Sequence, residues 1–126
     1  MLATLYKADG TSQEITPSNG STFTWDEMRN LLGCSKLESF NAGDPSMVMI
    51  GDEEARCKDE YIINQKATQI FRDGHGITEP RATFDANMKA MKEMFGDGVI
   101  FMGDMSEEPY TIVGNVLYIP EVMLNS

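Results

Sequence analysis

Residues 47–56 read Met-Val-Met-Ile-Gly-Asp-Glu-Glu-Ala-Arg, and residues 64–72 read Asn-Gln-Lys-Ala-Thr-Gln-Ile-Phe-Arg. The first stretch begins with apolar residues and continues into an acidic turn, which is typical of a strand followed by a loop. Around the second stretch, apolar residues recur at the spacing of a half-buried helix. We therefore predict a strand, a turn and then a helix between Glu60 and Asp73, ended by Gly74. The helix would bury Ile63, Ala67, Ile70 and Phe71 and leave Gln65, Thr68, Gln69 and Arg72 to solvent or a partner.

Two β-hairpins are predicted from turn-forming residues. Asp9-Gly10 favours the positive φ angles of a tight hairpin turn. A second cluster of turn formers, Asn41-Ala-Gly-Asp-Pro45, separates two further strand candidates. The strands would cover residues 2–8 and 12–16 in the first hairpin, and residues 37–40 and 46–51 in the second.

A short helix is predicted after the first hairpin. Thr24-Trp-Asp-Glu27 has the spacing of a capping box, in which the Thr hydroxyl accepts from the Glu27 amide and the carboxylate reaches back. Phe23 and Met28 are placed to form the accompanying hydrophobic staple. Gly33 follows as a left-handed C-terminal cap, so the helix has about two turns.

The last third of the chain predicts a third helix and further strands. Thr83 would cap the helix and Gly96 would end it. Strands are predicted over residues 99–102, 110–113 and 116–119. Gly114-Asn115 indicates a two-residue hairpin turn, and a single long strand with a glycine bulge is the alternative. The apolar stripe of the helix comprises Phe84, Met88, Met91 and Phe95.

Length and composition set the fold class. The chain has 126 residues, of which 41% are hydrophobic and 24% charged, the proportions of a folded globular domain. Its longest nearly apolar run, residues 112–119, is far shorter than the roughly 20 residues of a membrane-spanning helix. We predict a single α+β domain over residues 1–126, with an antiparallel sheet built from hairpins and about three short helices packed on it. The N-terminus does not read as a signal peptide, so a cytoplasmic location is expected.

The formal net charge of -10 argues against nucleic-acid duplex binding, which depends on clustered Lys and Arg. The charge is unevenly spread. Between Arg56 and Lys92, seven basic residues stand against five acidic ones, so this segment carries +2 and the rest of the chain -12. The segment indicates either an anion-binding region or ordinary solvated helix faces.

Catalytic and metal signatures are weak. One histidine, with no Gly-x-Ser-x-Gly and no P-loop, leaves the usual nucleophilic and nucleotide-hydrolysing arrangements incomplete. Cys34 and Cys57 lack the spacing of a zinc knuckle and are expected to be free thiols. The acid pairs Glu53-Glu54 and Glu107-Glu108 are typical of solvated faces. No catalytic residue, metal ligand or cofactor is predicted.

The best candidate site is the glycine-flanked loop from Asp73 to Arg81, which contains His75. Glycines allow close backbone approach to a ligand. A helix beginning near Thr83 would place its free amides beside Arg81 and His75, which suits an anion. The alternative is a flexible interhelical loop with an exposed histidine.

Four short motifs resemble a family of small uncharacterised domains frequent in phages and mobile elements. They are Leu31-Leu-Gly-Cys34, Met47-Val-Met-Ile-Gly-Asp-Glu-Glu54, Asn64-Gln-Lys-Ala-Thr68 and Ile112-Val-Gly-Asn-Val-Leu117. The resemblance covers residues 1–73 and 110–120, and the helix from Phe84 to Phe95 looks like an insertion. It implies no reaction, but a phage-like origin implies host takeover or evasion of host defence. Sequestration of a nucleotide immune signal is expected by analogy with phage proteins of similar size that also lack catalytic residues.

Two functions follow as hypotheses. The first is a non-catalytic, oligomeric protein that sequesters a small anionic host ligand such as a cyclic nucleotide. The second is an acidic interaction module, or mimic, that inhibits a basic host protein. A small hydrolase dependent on His75 is a third class. For a nucleotide, the expected phosphate contacts are Arg72, His75 and Arg81, with Asn64 and Lys66 as polar neighbours and Phe84 stacking on the base.

Overall fold

The last strand of the chain is the centre of the sheet. In this computed structural model, which describes residues 2–58, 61–96 and 108–124, five strands lie in the order β2-β1-β5-β4-β3, and all neighbours are antiparallel. Three helices accompany them, which confirms a single α+β domain. The strands are β1 Ala3–Tyr6, β2 Ser12–Ile15, β3 Leu37–Phe40, β4 Met47–Asp52 and β5 Val116–Pro120; the helices are α1 Trp25–Leu32, α2 Gln65–Gly74 and α3 Pro80–Phe95.

Both predicted hairpins are confirmed. β1 pairs with β2 across the turn that contains Asp9, whose carboxylate accepts from the Thr11 amide (2.9 Å). β3 pairs with β4 in the same way, with Phe40 opposite Met49. β5 then lies between β1 and β4 and joins the two hairpins into one sheet.

The two faces of the sheet carry separate cores, because successive side chains of a strand point to opposite sides. On one face, the α1 region packs on β1, β4 and β5. On the other face, α2 packs on β4, β5 and the turn after β3. The first core contains Ala3, Leu5, Phe23, Met28, Ile50, Leu117 and Ile119; the second contains Ala42, Met49, Ala67 and Val116.

α1 begins and ends where its caps predict. The Thr24 hydroxyl accepts from the Glu27 amide (3.1 Å), and Gly33 adopts φ 66° at the C-terminus. Phe23 and Met28 are fully buried in the same core, as expected of a hydrophobic staple. The capping box is incomplete, since the Glu27 carboxylate accepts from the Ser18 amide (3.0 Å). Glu27 therefore fastens the preceding loop to the helix.

The starts of the other two helices were predicted wrongly, whereas their predicted ends at Gly74 and Gly96 are confirmed. α2 begins at Gln65, so Ile63 precedes the helix and forms a β-bridge with Val113. Thr68, predicted to face solvent, is buried at 3% exposure because residues 111–113 cover that side of α2. α3 begins at Pro80, three residues before the predicted cap Thr83, because proline is well suited to a first helical turn.

Gly114-Asn115 forms neither the predicted hairpin turn nor a bulge in one long strand. Val113 pairs with Ile63, and the Gly114 amide donates to the Ile62 carbonyl oxygen (2.9 Å). Gly114 has φ 76°, which lets the chain turn from this bridge into β5. The strand predicted over residues 99–102 lies outside the described residues. Within the described ranges, the helices are too short or too polar to traverse a lipid bilayer.

Candidate functional site

A cleft of about 450 Å³ opens on the α2 side of the sheet, beside the edge strand β3. Its origin is a cross-strand row in which Glu38 lies opposite Gly51, and Gly51 opposite Val116. Because Gly51 has no side chain, the middle of this row is empty. A Cβ at Gly51 would lie 3.5 Å from Val116 Cγ1 and 3.9 Å from Phe40 Cε1, so the space lies between these side chains.

Aromatic and aliphatic side chains form the walls of the cleft. Phe40 and Phe71 meet edge to face, with ring centroids 6.1 Å apart. Tyr110 and the three residues that follow it also line the cleft. A ligand in the cleft would therefore lose much of its contact with water against apolar surface.

The rim of the cleft is acidic. Glu38, Asp52 and Glu53 line it, and Arg56 is the one basic residue among the described lining residues. Burial, followed by the nearby Glu53 and Asp52, raises the pKa of the Glu38 carboxyl, and the Arg56 guanidinium lowers it. Among the described residues, no hydrogen bond or salt bridge engages the Glu38 or Glu53 carboxylate. The cleft therefore presents negative charge beside an apolar floor.

A salt bridge and a set of hydrogen bonds hold Asp52 and Arg56 in place at the rim. Asp52 forms a salt bridge with Lys58 (3.0 Å) and accepts from the Glu54 amide (2.9 Å). Arg56 donates to the carbonyl oxygen and to the Oγ1 (3.1 Å) of Thr111. Since both residues line the cleft, Arg56 joins the turn Ala55–Cys57 to the segment after Pro109.

Tyr110 connects the cleft to α3. It is the one described non-glycine residue with positive φ (59°), a conformation that costs about 1–2 kcal/mol and often marks a functional position. Its carbonyl oxygen accepts from Arg72 Nε (3.3 Å), and its hydroxyl accepts from Asn87 (2.7 Å). Its ring meets the edge of Phe84 at a centroid distance of 6.3 Å.

Three of the residues predicted for a nucleotide site gather around Tyr110. Arg72 donates to the carbonyl oxygens of Pro109 (2.9 Å) and Tyr110. The Arg81 guanidinium carbon lies 5.8 Å from the centre of the Phe84 ring, and Phe84 in turn contacts Tyr110. This group carries two positive charges and two rings, although both hydrogen bonds of Arg72 go to backbone oxygens.

The other three predicted residues lie elsewhere. His75 caps the end of α2, where Nε2 donates to the Asn41 carbonyl oxygen (2.8 Å) and the ring lies 4.5 Å from that of Phe71. Asn64 and Lys66 lie at the other end of α2; at 1.5 Å per residue, Asn64 and His75 are separated by about 16 Å along the axis. Lys66 is exposed.

Asn64 is structural in this fold. It is fully buried, and its amide nitrogen donates to the carbonyl oxygens of Tyr6 and Gly114 (2.9 Å each). Its side-chain oxygen accepts from the Ala67 amide (3.1 Å) and so caps α2. All of these bonds are internal, which leaves the side chain turned away from solvent.

The sequence did not predict Glu38, Asp52, Arg56 or Tyr110 as site residues. Glu53 was interpreted as part of a solvated acid pair. One signal was present, because glycine inside a strand pattern often marks a place where another group approaches closely. Gly51 is such a glycine. Which side chains lie beside it depends on the strand register, which the sequence alone does not specify.

Comparisons of the chain with protein-family models, with curated proteins and with solved structures found no match. Among the residues that the structure describes, no group of three or more His, Cys, Asp or Glu side chains is arranged to hold a metal ion.

Proposed function

We propose that this protein is a non-catalytic, phage-type binding protein that captures a basic host protein by taking one Lys or Arg side chain into the acidic cleft. The observation that carries the proposal is that three carboxylates and several aromatic side chains line the same cleft. A cation beside an aromatic face and a carboxylate is attracted by both. The chain's net charge of -10 would steer a basic partner toward it. The proposed place of action is the host cytoplasm.

The cationic group would enter between Glu38 and Glu53, over the space left by Gly51. Its aliphatic stem would pack on Phe40 and Val116, as the stems of long basic side chains do on apolar surface. A phosphate would instead meet the Glu38 and Glu53 carboxylates, which form no salt bridge among the described residues. The cleft therefore favours a basic partner over an anionic ligand.

The test is an NMR titration of labelled protein with acetyl-arginine methylamide and with its uncharged isostere, acetyl-citrulline methylamide. We expect the arginine compound to shift amides that line the cleft and the citrulline compound to bind more weakly. Glu38→Gln with Glu53→Gln should weaken arginine binding by about 2- to 30-fold, since each exposed ion pair contributes about 0.2–1 kcal/mol. High salt should weaken it as well, because exposed charges are screened.

The matched control is Glu14→Gln. Glu14 is an exposed carboxylate on β2, at the edge of the sheet farthest from β3. Removing it changes the net charge by one, half of the change in the double variant, and leaves the cleft unchanged, so arginine binding should persist. Equal affinity for arginine and citrulline, or equal losses in the control and the double variant, would contradict the proposal.

A second candidate function is capture of a small anionic ligand such as a cyclic nucleotide. It is supported by the two arginines and two rings around Tyr110. Scanning fluorimetry with cyclic di- and trinucleotides and cyclic ADP-ribose isomers tests it, because a ligand that binds the folded state raises the Tm. Arg81→Gln should abolish the shift and Lys66→Gln, at the far end of α2, should preserve it. Absence of any shift would exclude these ligands.

A further inference from the structure

Both cysteines of the chain line one pocket on the side of β4 away from the cleft's aromatic walls. This pocket has a volume of about 290 Å³ and lies between the end of α1 and the helical turn Ala55–Cys57. Cys34 follows the cap residue Gly33, and its amide donates to the Arg29 carbonyl oxygen (3.1 Å). Cys57 is fixed by a bond from its own amide to the Glu54 carbonyl oxygen (3.0 Å).

The fold brings together two residues that are far apart in sequence. β3 and β4 pair as far as Leu37 and Asp52, and the Glu53 amide then donates to the Lys36 carbonyl oxygen (3.1 Å). The chain just after Cys34 therefore lies beside the chain just before Cys57. Both thiols are free.

The two thiols differ in accessibility and charge environment. Cys57 is exposed, whereas Cys34 is half-buried. Burial and the Asp52 carboxylate raise the pKa of the Cys34 thiol, while Lys58 and Arg29 lower it. Lys58 lies at this pocket through its salt bridge to Asp52 (3.0 Å). Because accessibility favours attack on an external disulfide, Cys57 is the expected entry point and Cys34 the resolving thiol.

We propose that Cys34 and Cys57 form a modification site at which a low-molecular-weight disulfide, such as oxidised glutathione, generates an intramolecular disulfide. The Cys57 thiolate attacks one sulfur of glutathione disulfide, the S–S bond breaks, and one glutathione leaves as its thiolate. The Cys34 thiolate then attacks the Cys57 sulfur of the mixed disulfide and displaces the second glutathione. The protein loses two protons and two electrons, and glutathione disulfide is reduced to two thiols. This modification site does not depend on the proposed function.

The bond would join the turn Ala55–Cys57 to the end of α1. Ala55 and Arg56, from the same turn, also line the cleft. Oxidation would therefore fix one wall of the cleft, and the amide signals of these two residues should change on oxidation.

The test uses the full, reduced chain treated with oxidised glutathione and followed by intact mass. We expect one product lighter than the reduced chain by two hydrogen atoms, with no titratable thiol left and with reversal by dithiothreitol. Trypsin should release residues 30–36 linked to residues 57–58. Cys34→Ser should stop at a stable glutathione adduct on Cys57. Two retained glutathione adducts per chain, or disulfide-linked dimers in place of the internal bond, would overturn the proposal.

The tryptic peptide map locates the disulfide in the wild-type chain, so the test does not require that either cysteine variant folds. Cys57→Ser adds a rate comparison. Its remaining thiol is the half-buried one, so it should acquire glutathione more slowly than the Cys34→Ser variant does. Equal rates for the two variants would contradict the assigned order of attack.

Discussion

Gly74→Ala tests how the end of α2 is held against the β3–β4 turn. A Cβ on Gly74 would overlap the Ala42 carbonyl oxygen and lie 2.8 Å from the Ala42 carbonyl carbon and 3.2 Å from Gly43 Cα. Alanine normally stabilises a helix interior by about 0.8–1 kcal/mol relative to glycine. Here the obstacle is backbone, which cannot rotate away, and overpacking of this kind costs about 1–3 kcal/mol.

The turn must also move to accept the methyl group, which weakens the bond from His75 to the Asn41 carbonyl oxygen, a contact of about 0.5–1.5 kcal/mol. We therefore expect a net loss of about 1–3 kcal/mol in the free energy of unfolding, with the clash outweighing helix propensity. The assay is urea denaturation followed by circular dichroism.

Gly51→Ala is the control with the opposite expected sign. Its Cβ would make only ordinary contacts, and glycine within a strand weakens it, so the variant should gain about 0.5–1 kcal/mol. A Gly74→Ala variant at least as stable as the wild type would refute the argument, because the close contact between α2 and the turn would then be absent or easily relieved.

Three further predictions concern Asn64, Glu38 and Gly51. Asn64→Ala should lower the free energy of unfolding by about 2–4 kcal/mol, since it removes a cap and the buried amide that donates to the part-buried carbonyl oxygens of Tyr6 and Gly114; a loss below about 1 kcal/mol in chemical denaturation would contradict this. Glu38 has a raised pKa in the folded state, so its ionisation lowers stability as pH rises through that window; Glu38→Gln should therefore stabilise at pH 7, and the gain should vanish below about pH 4, where the carboxyl is protonated in both states. Gly51→Leu should fill the cleft and abolish arginine binding while the circular dichroism spectrum is retained; undiminished binding would place the cation elsewhere.

Features encoded by neighbouring residues were predictable from the sequence. The Asp9-Gly10 turn, the Thr24 cap and the Gly33 stop each depend on conformations or hydrogen bonds within a few residues. The two hairpins follow from such turns and from the alternation of the flanking strands. This local information was sufficient for the fold class and for most of the strands.

Long-range pairing was the source of the errors. Val113 pairs with Ile63, which lies fifty positions earlier, so nothing local to Gly114-Asn115 distinguishes this bridge from a hairpin. Thr68 is polar and occupies a plausible solvent position on α2, yet its Oγ1 accepts from the Ile112 amide (2.9 Å). In both cases the segment after Pro109 determines the outcome, and its position against α2 cannot be deduced from periodicity.

The segment after Pro109 also explains why the excess of basic residues between Arg56 and Lys92 does not by itself indicate an anion site. Arg72 donates to the backbone of Pro109 and Tyr110, and Arg56 donates to Thr111. Two cations of the segment from Arg56 to Lys92 therefore hold residues 109–111 in place beside the cleft. Lys58 is engaged in turn by Asp52.

The Arg56 and Arg72 guanidinium groups donate to internal oxygens, whereas Glu38 and Glu53 line the cleft with no salt bridge among the described residues. The sign of the available charge is thus opposite to that of the segment from Arg56 to Lys92. This difference is the physical reason for expecting a cationic occupant in the cleft.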